Sequence, residues 1–166
     1  MQLLKKVHIN GLMILGLSFG LLLSTVASAS YAEETRILAE NGDVESQQLM
    51  GLLYKNGIDV EQNYHEAFKW FEKAANQGDI PSQIIMGFMY GDGEGVRQNN
   101  KKAFEWTQKA ANLGDAFAQV HIGLFYEYGK GIQIDKAQAK EWYGKACDNG
   151  DQGGCNKYRE LNEQGY

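Results

Sequence analysis

Across the C-terminal part of the chain, apolar positions fall at spacings of three and four rather than two. Ser82, Ile85, Met86, Met89 and Tyr90 share one helical face, and the pattern predicts a helix, A, from about Ile80 to Gly91. Asp79 stands just before it, where a carboxylate accepts from the free amides of the first turn. Pro81 falls in that first turn, where a missing amide hydrogen does no harm. Gly93 follows, able to take the left-handed conformation that closes a helix. A second helix, B, is predicted beyond the loop, with Asn99 as N-cap, Ala103, Trp106 and Ala110 on one face and Gly114 at its end. The alanines allow close approach to helix A, and the tryptophan fills the space between neighbouring hairpins.

This hairpin is not unique in the chain. Shifted back by 36 residues it lands on Gly51, Tyr54, Gly57, Val60, Ala67, Trp70, Lys73, Ala74, Ala75, Gly78 and Asp79; shifted forward it lands on Gly123, Tyr126, Gly129, Gly131, Ile132, Ala139, Trp142, Lys145, Ala146, Gly150 and Asp151. A fixed period of this size, without insertion, means stacked supersecondary units. Asp43, Asp115 and Asp151 repeat the cap of helix A. Asn63 with Glu66 and Asp135 with Gln138 have the spacing of a capping box at helix B. The loop Gly91-Asp92-Gly93-Glu94-Gly95 reads as a helix-to-helix turn, since it lacks both the order of a phosphate loop and a preceding strand. In the first copy Asp59 replaces the last glycine, and Asp tolerates a positive φ better than most residues.

The first thirty residues read as an address. Lys5 and Lys6 precede an apolar run from Gly11 to Val26, and Ala27-Ser28-Ala29 offers a small-residue cleavage site, the pattern of a secretory signal peptide cleaved after Ala29. An uncleaved anchor is the rival reading. Gly16-Leu17-Ser18-Phe19-Gly20 matches a hydrolase motif but lacks its strand-to-helix setting. Loss of Lys5 and Lys6 leaves 14 basic against 21 acidic residues, a formal charge of −7. That balance provides no basic footprint for nucleic acid or anionic lipid, and the expected mature protein keeps no stable membrane anchor.

Cys147 and Cys155 are the only cysteines. An isolated, closely spaced pair in an oxidising compartment reads as a disulfide, stabilising by roughly 2–3 kcal/mol on chain entropy. A redox-active pair is the alternative, although seven residues separate the thiols where a thioredoxin-type motif has two.

The run A-x-x-x-x-G-x-x-Y-x-x-G-x-G-V followed by K-A-x-x-W-x-x-K-A-A-x-x-G-D resembles the Sel-1-like repeat, a relative of the tetratricopeptide repeat. The resemblance implies an all-α fold, an α/α solenoid of antiparallel helix pairs. It divides the chain into a signal peptide (1–29), an N-terminal half unit made of a helix B (30–42), repeats over 43–78, 79–114 and 115–150, and a C-terminal half unit made of a helix A (151–166). The Cys147–Cys155 spacing also looks like the cysteine-rich branch of the family, in which a bridge ties helix B of one unit to helix A of the next. Mapped onto tetratricopeptide geometry, the A helices line a concave surface into which Gln48, Leu52 and Lys55, then Ile84 and Phe88, then Val120, Leu124, Glu127 and Tyr128 point. Leu52, Phe88 and Leu124 share one register and form an apolar stripe there.

Candidate chemistry adds little. His65 and His121 lie on different helices, so no paired-histidine metal motif forms, and both read as helix-surface residues. No serine after residue 29 has a lysine at S-x-x-K spacing. Neither a catalytic set, a metal site nor a cofactor is expected. The expected function is an exported scaffold that binds another protein or an extended peptide. The alternatives are an immunity or inhibitor protein against a secreted toxin, and the weak β-lactamase-like activity that the cysteine-rich branch suggests.

Overall fold

The computed structural model describes residues 31–166; the leader read at 1–29 lies outside them. Among the described residues there are helices and turns but no strands. The helices are α1 over 31–40, α2 (Val44–Asn56), α3 (Tyr64–Asn76), α4 (Ile80–Asp92), α5 (Asn100–Asn112), α6 (Ala116–Tyr128), α7 (Lys136–Asp148) and α8 (Gln152–Glu163). Helices packed on one another are mainly sequence neighbours, and α6 also meets α8. The even-numbered helices are the A helices of the repeat and the odd-numbered ones its B helices.

Caps set where each helix begins and ends. Asp43, Asp79, Asp115 and Asp151 accept from the amides of Ser46, Ser82, Ala118 and Gly154 at 2.7–2.8 Å, satisfying donors that the first turn leaves free. Gly57, Gly93 and Gly129 close α2, α4 and α6 at φ of 67°, 78° and 68°. Asp59 takes φ of 59°, as its turn requires. The capping boxes are only half made. Asn63 and Asp135 cap the N3 amides, but Glu66 turns to Lys69 and Gln138 to Glu141. The reason lies in the loop: the amides of Asn63, Asn99 and Asp135 donate instead to the carbonyls of Tyr54, Tyr90 and Tyr126, at 2.8–2.9 Å, fastening each B helix to its A helix.

The core is a row of clusters rather than one centre. Ala67, Phe68 and Phe71 of α3 meet Met86, Met89 and Tyr90 of α4 and Ala103 of α5. One unit on, Phe104, Ala110 and Ala111 of α5 meet Ala118 and Ile122 of α6 and Trp142 of α7. Each hairpin thus hides its apolar face only by stacking on the next, as a quasi-linear array requires. Edge-to-face pairs recur in register, Phe68 on Tyr90 at 5.4 Å and Phe104 on Tyr126 at 5.6 Å. Trp70, Trp106 and Trp142 occupy equivalent places, each beneath the ammonium of the lysine three residues on, at 3.6–3.9 Å.

A further register ties unit to unit. Gln47, Gln83 and Gln119 are buried, and each donates its side-chain amide to the carbonyl of Ala39, Ala75 or Ala111 on the preceding B helix, at 3.0–3.2 Å. At the first and third of these junctions the glutamine oxygen accepts in turn from Gln77 or Asn149. In the middle Leu113 takes that position, so the Gln83 oxygen is left without a partner. Adding 36 once more to both ends of the tie gives Cys147 and Cys155, which are disulfide-bonded with Cα atoms 4.5 Å apart. The last junction therefore replaces a buried hydrogen bond by a covalent one, at the end where α8 has no following unit described. Reduction, or Cys155→Ser, is expected to lower stability by about 2.5 kcal/mol. Its effect should be local, raising amide exchange in α8 and the end of α7 while α2 to α4 keep their protection. Uniform loss of protection along the chain would contradict this.

Candidate functional site

The A helices carry the residues that the sequence places on a binding surface. Leu52, Phe88 and Leu124 fall in one register on α2, α4 and α6. Leu52 and Phe88 are exposed, at 36% and 39%, while Leu124 is half-buried. Gln48 and Lys55 are half-buried, and Lys55 pairs with Glu94 of the next loop at 3.2 Å, an ion pair between units rather than a free cation. Ile84 packs against the Phe104–Ile122 cluster. Val120 and Leu124 pack against Tyr143 and Leu161, so α8 covers part of the third unit's face. Tyr128 is 55% exposed.

Glu127 needs correction. Its side chain is buried, not offered to a partner: the Tyr143 hydroxyl donates to one carboxylate oxygen at 2.6 Å, and the Lys157 ammonium lies 3.3 Å from the other. Burial alone would raise the Glu127 carboxyl, but the phenol and the ammonium more than offset it and hold it below the usual carboxylate range. The Tyr143 hydroxyl is pushed far up by burial and by that carboxylate. The Lys157 ammonium is raised: burial opposes its charge, and Glu127 outweighs burial. The group is a structural lock between α6, α7 and α8.

His121 also departs from the surface reading. It is wedged between Phe88, with ring centroids 5.1 Å apart, and Phe117, at 4.4 Å. Burial, helped by the nearby Lys130 charge, lowers its pKa and keeps the imidazole neutral at pH 7.

Phe88, Leu124 and His121 converge on one place, whereas the other residues of the sequence-predicted face do not. A cavity of about 250 Å³ lies between α4 and α6, bounded by Gly87, Phe88 and Gly91 on one side and by His121, Leu124 and Phe125 on the other, with Thr107 of α5 lining it as well. Asp92, Asn100 and Lys130 are the exposed polar residues among its lining. The mapping onto tetratricopeptide geometry placed Phe88 and Leu124 on the open face but gave no sign of Thr107 and Gly91. Their signal was present as departures from the repeat: Thr107 stands where the other units have Phe71 and Tyr143, and Gly91 where they have Lys55 and Glu127.

Among the described residues there is no cluster of metal-ligating side chains, and no helix is long and apolar enough to cross a membrane.

Like hairpins stacked in a 36-residue register, with small residues where A and B helices cross and the A-helix face partly open, define an α/α solenoid of the tetratricopeptide-like class. More narrowly, the chain belongs to the Sel1 repeat family, whose model matches residues 44–79, 80–115 and 116–151. Repeats of this family generally serve as protein-interaction scaffolds. A Sel1 repeat protein from Oxalobacter formigenes is similar at 35% identity and a TM-score of 0.71, over 77% of this chain and 96% of that one. A protective antigen of uropathogenic Escherichia coli with an SLR fold is 34% identical, with a TM-score of 0.75, over 79% of this chain; this chain covers only 28% of that longer protein. Cysteine-rich protein B of Helicobacter pylori, 24% identical with a TM-score of 0.60 over 75% of this chain and 95% of that one, shares the fold. No curated protein sequence matches the chain.

Proposed function

We propose that this chain is an exported scaffold that holds another protein or an extended peptide along the face of its A helices. The observation that carries the reading is the row Leu52, Phe88 and Leu124, exposed or half-exposed in one register, of which Phe88 and Leu124 line the cavity between α4 and α6. Large apolar side chains left open next to a concave site are what a partner's side chains desolvate. Export is supported by the leader pattern at 1–29 and by the Cys147–Cys155 bridge, because structural disulfides persist in oxidising compartments. Gln48, Ile84, Val120 and Tyr128 flank the row and would form its rim, and Lys55 would contribute once its pair with Glu94 opens.

The test is affinity capture from envelope extracts with the wild-type protein and with Phe88→Asp. Phe88 is 39% exposed, and circular dichroism and thermal unfolding check that the variant folds. The aspartate places a charge where a partner must desolvate it, and the dominant captured polypeptide should fall at least tenfold. Equal capture by both proteins would refute the reading.

A further inference from the structure

We infer that the cavity between α4 and α6 is a receptor for one aromatic side chain, phenylalanine or tyrosine, of the polypeptide held by the array. This deepens the scaffold reading and rests on it. In the first unit Phe71, and in the third Tyr143, lies fully buried across a glycine of the paired A helix. The fit is so close that a Cβ on Gly51 would come within 2.6 Å of the Phe71 ring, and one on Gly123 would run into Tyr143. In the middle unit Gly87 faces Thr107 instead, whose hydroxyl lies directly against it and donates to the carbonyl of Ala103 at 2.9 Å. The short side chain fills the part of the ring site next to the glycine and leaves the remainder of a ring's volume open as the cavity that Gly87 and Thr107 line.

Nothing nearby refills it. The next position of that register on helix A, Lys55 in the first unit and Glu127 in the third, is Gly91 in the second, so α4 withdraws as well. Phe125, which stands where Met89 and Leu161 stand in the neighbouring units, is larger than either, but it turns edge-on to Phe104 at 5.7 Å. What remains is a cavity of about 250 Å³, and apolar cavities of about 150 Å³ suffice to hold benzene. The template of the site is a flat ring lying on a glycine backbone, and Phe88 and Phe125 present further rings to its occupant, as aromatic pairs prefer. A branched aliphatic side chain offers no flat ring to the rings of Phe88 and Phe125. Of the cavity's lining, Phe88, Asp92, Asn100 and Lys130 are exposed, and Phe88 belongs to the row that would hold a partner chain, which favours a residue of a polypeptide over a free small molecule.

The purified, ¹⁵N-labelled protein, titrated with N-acetyl-L-phenylalaninamide, N-acetyl-L-tyrosinamide and N-acetyl-L-leucinamide, provides the test. The two aryl amides should shift the backbone resonances of Gly87, Gly91 and Thr107 and bind at least tenfold more tightly than the leucine derivative. Thr107→Phe supplies the missing ring from within; it should raise the melting temperature and weaken aryl binding at least tenfold. Should that variant fail to fold, Gly91→Leu carries the same expectation, since a Cβ there would meet only the Ala103 methyl, at 3.8 Å. Equal binding of the leucine amide, shifts away from the cavity, or aryl binding unchanged in the folded variants would overturn the proposal. If Phe88→Asp loses its captured partner while Thr107→Phe and Gly91→Leu retain it at wild-type affinity, the scaffold reading stands and the aryl receptor falls. If Phe88→Asp keeps its partner, the scaffold reading fails, and with it the polypeptide as source of the ring, whatever the titration shows.

Discussion

Gly131→Ala is expected to destabilise the array by about 2–5 kcal/mol, the sum of backbone strain and a steric collision. Gly131 lies in the loop between α6 and α7 at φ of 75°, where an alanine by itself costs about 1–2 kcal/mol. The added Cβ would also come to 2.6 Å from the Asn100 carbonyl oxygen and the Lys101 amide nitrogen, backbone atoms at the start of α5 that cannot swing aside. Gly95 makes the same approach to Tyr64 and His65 one unit earlier, where His65 Nδ1 also sits 3.2 Å from the Gly95 carbonyl oxygen. Each loop therefore rides on the first turn of the preceding B helix and sets the offset between units. Gly150→Ala is the control, because φ is 88° there but a Cβ would have open space within 4 Å. It should cost only the strain, about 1–2 kcal/mol. Urea unfolding of both variants decides the matter: equal losses would mean that the loop-to-helix contact does not set the register.

Tyr143→Ala should cost about 3–5 kcal/mol, the range for deleting a large buried ring. Tyr143 is fully buried, and its loss also strips the phenol from Glu127. Tyr143→Phe separates the two contributions: it keeps the ring and leaves the carboxylate short of a donor, for about 1–3 kcal/mol. The difference between wild type and Tyr143→Phe should depend on pH, with a sign fixed by the three groups. Glu127 titrates lower in the folded protein, so its contribution is present above the unfolded carboxyl pKa of about 4.3 and is lost as pH falls through the folded value. Lys157 and Tyr143 titrate higher when folded. The lysine contribution is present below the unfolded value of about 10.4 and fades as pH rises through the folded one. Tyr143 stays protonated in the fold while the unfolded phenol ionises above about pH 10, so stability falls there in the wild type and not through this group in Tyr143→Phe. Urea midpoints should therefore differ most between about pH 5 and 9, and the difference should shrink as pH falls below the unfolded carboxyl value and as it rises above about 10. A gap of constant size across that range would show that the phenol and carboxylate do not act as a pair.

The helices and their ends were legible because their causes are local. Asp79 caps the amide three residues on, Gly93 takes a left-handed turn, and the alanine and tryptophan face of α5 repeats at helical spacing; each depends on a few consecutive residues. The capping boxes were misread because Asn63 and Asp135 face two acceptors for one amide, and the carbonyls of Tyr54 and Tyr126, brought close by the loop, win over a side chain that would lose rotamer freedom. Glu127 was placed on the open face because the mapping onto tetratricopeptide geometry takes no account of what the next elements lay on top. Tyr143 of α7 and Lys157 of α8, thirty residues on, close over it.

The 36-residue period dictates the all-α class, the order of the hairpins and the positions of the caps, since these follow from short-range hydrogen bonding and from which side of each helix is apolar. Which openings survive between hairpins follows from a different kind of event. The cavity exists because Thr107, Gly91 and Phe125, on three helices, meet at one junction, and whether a small residue leaves a void depends on whether its neighbours across the interface collapse into it. Packing of that kind is a property of the assembled stack.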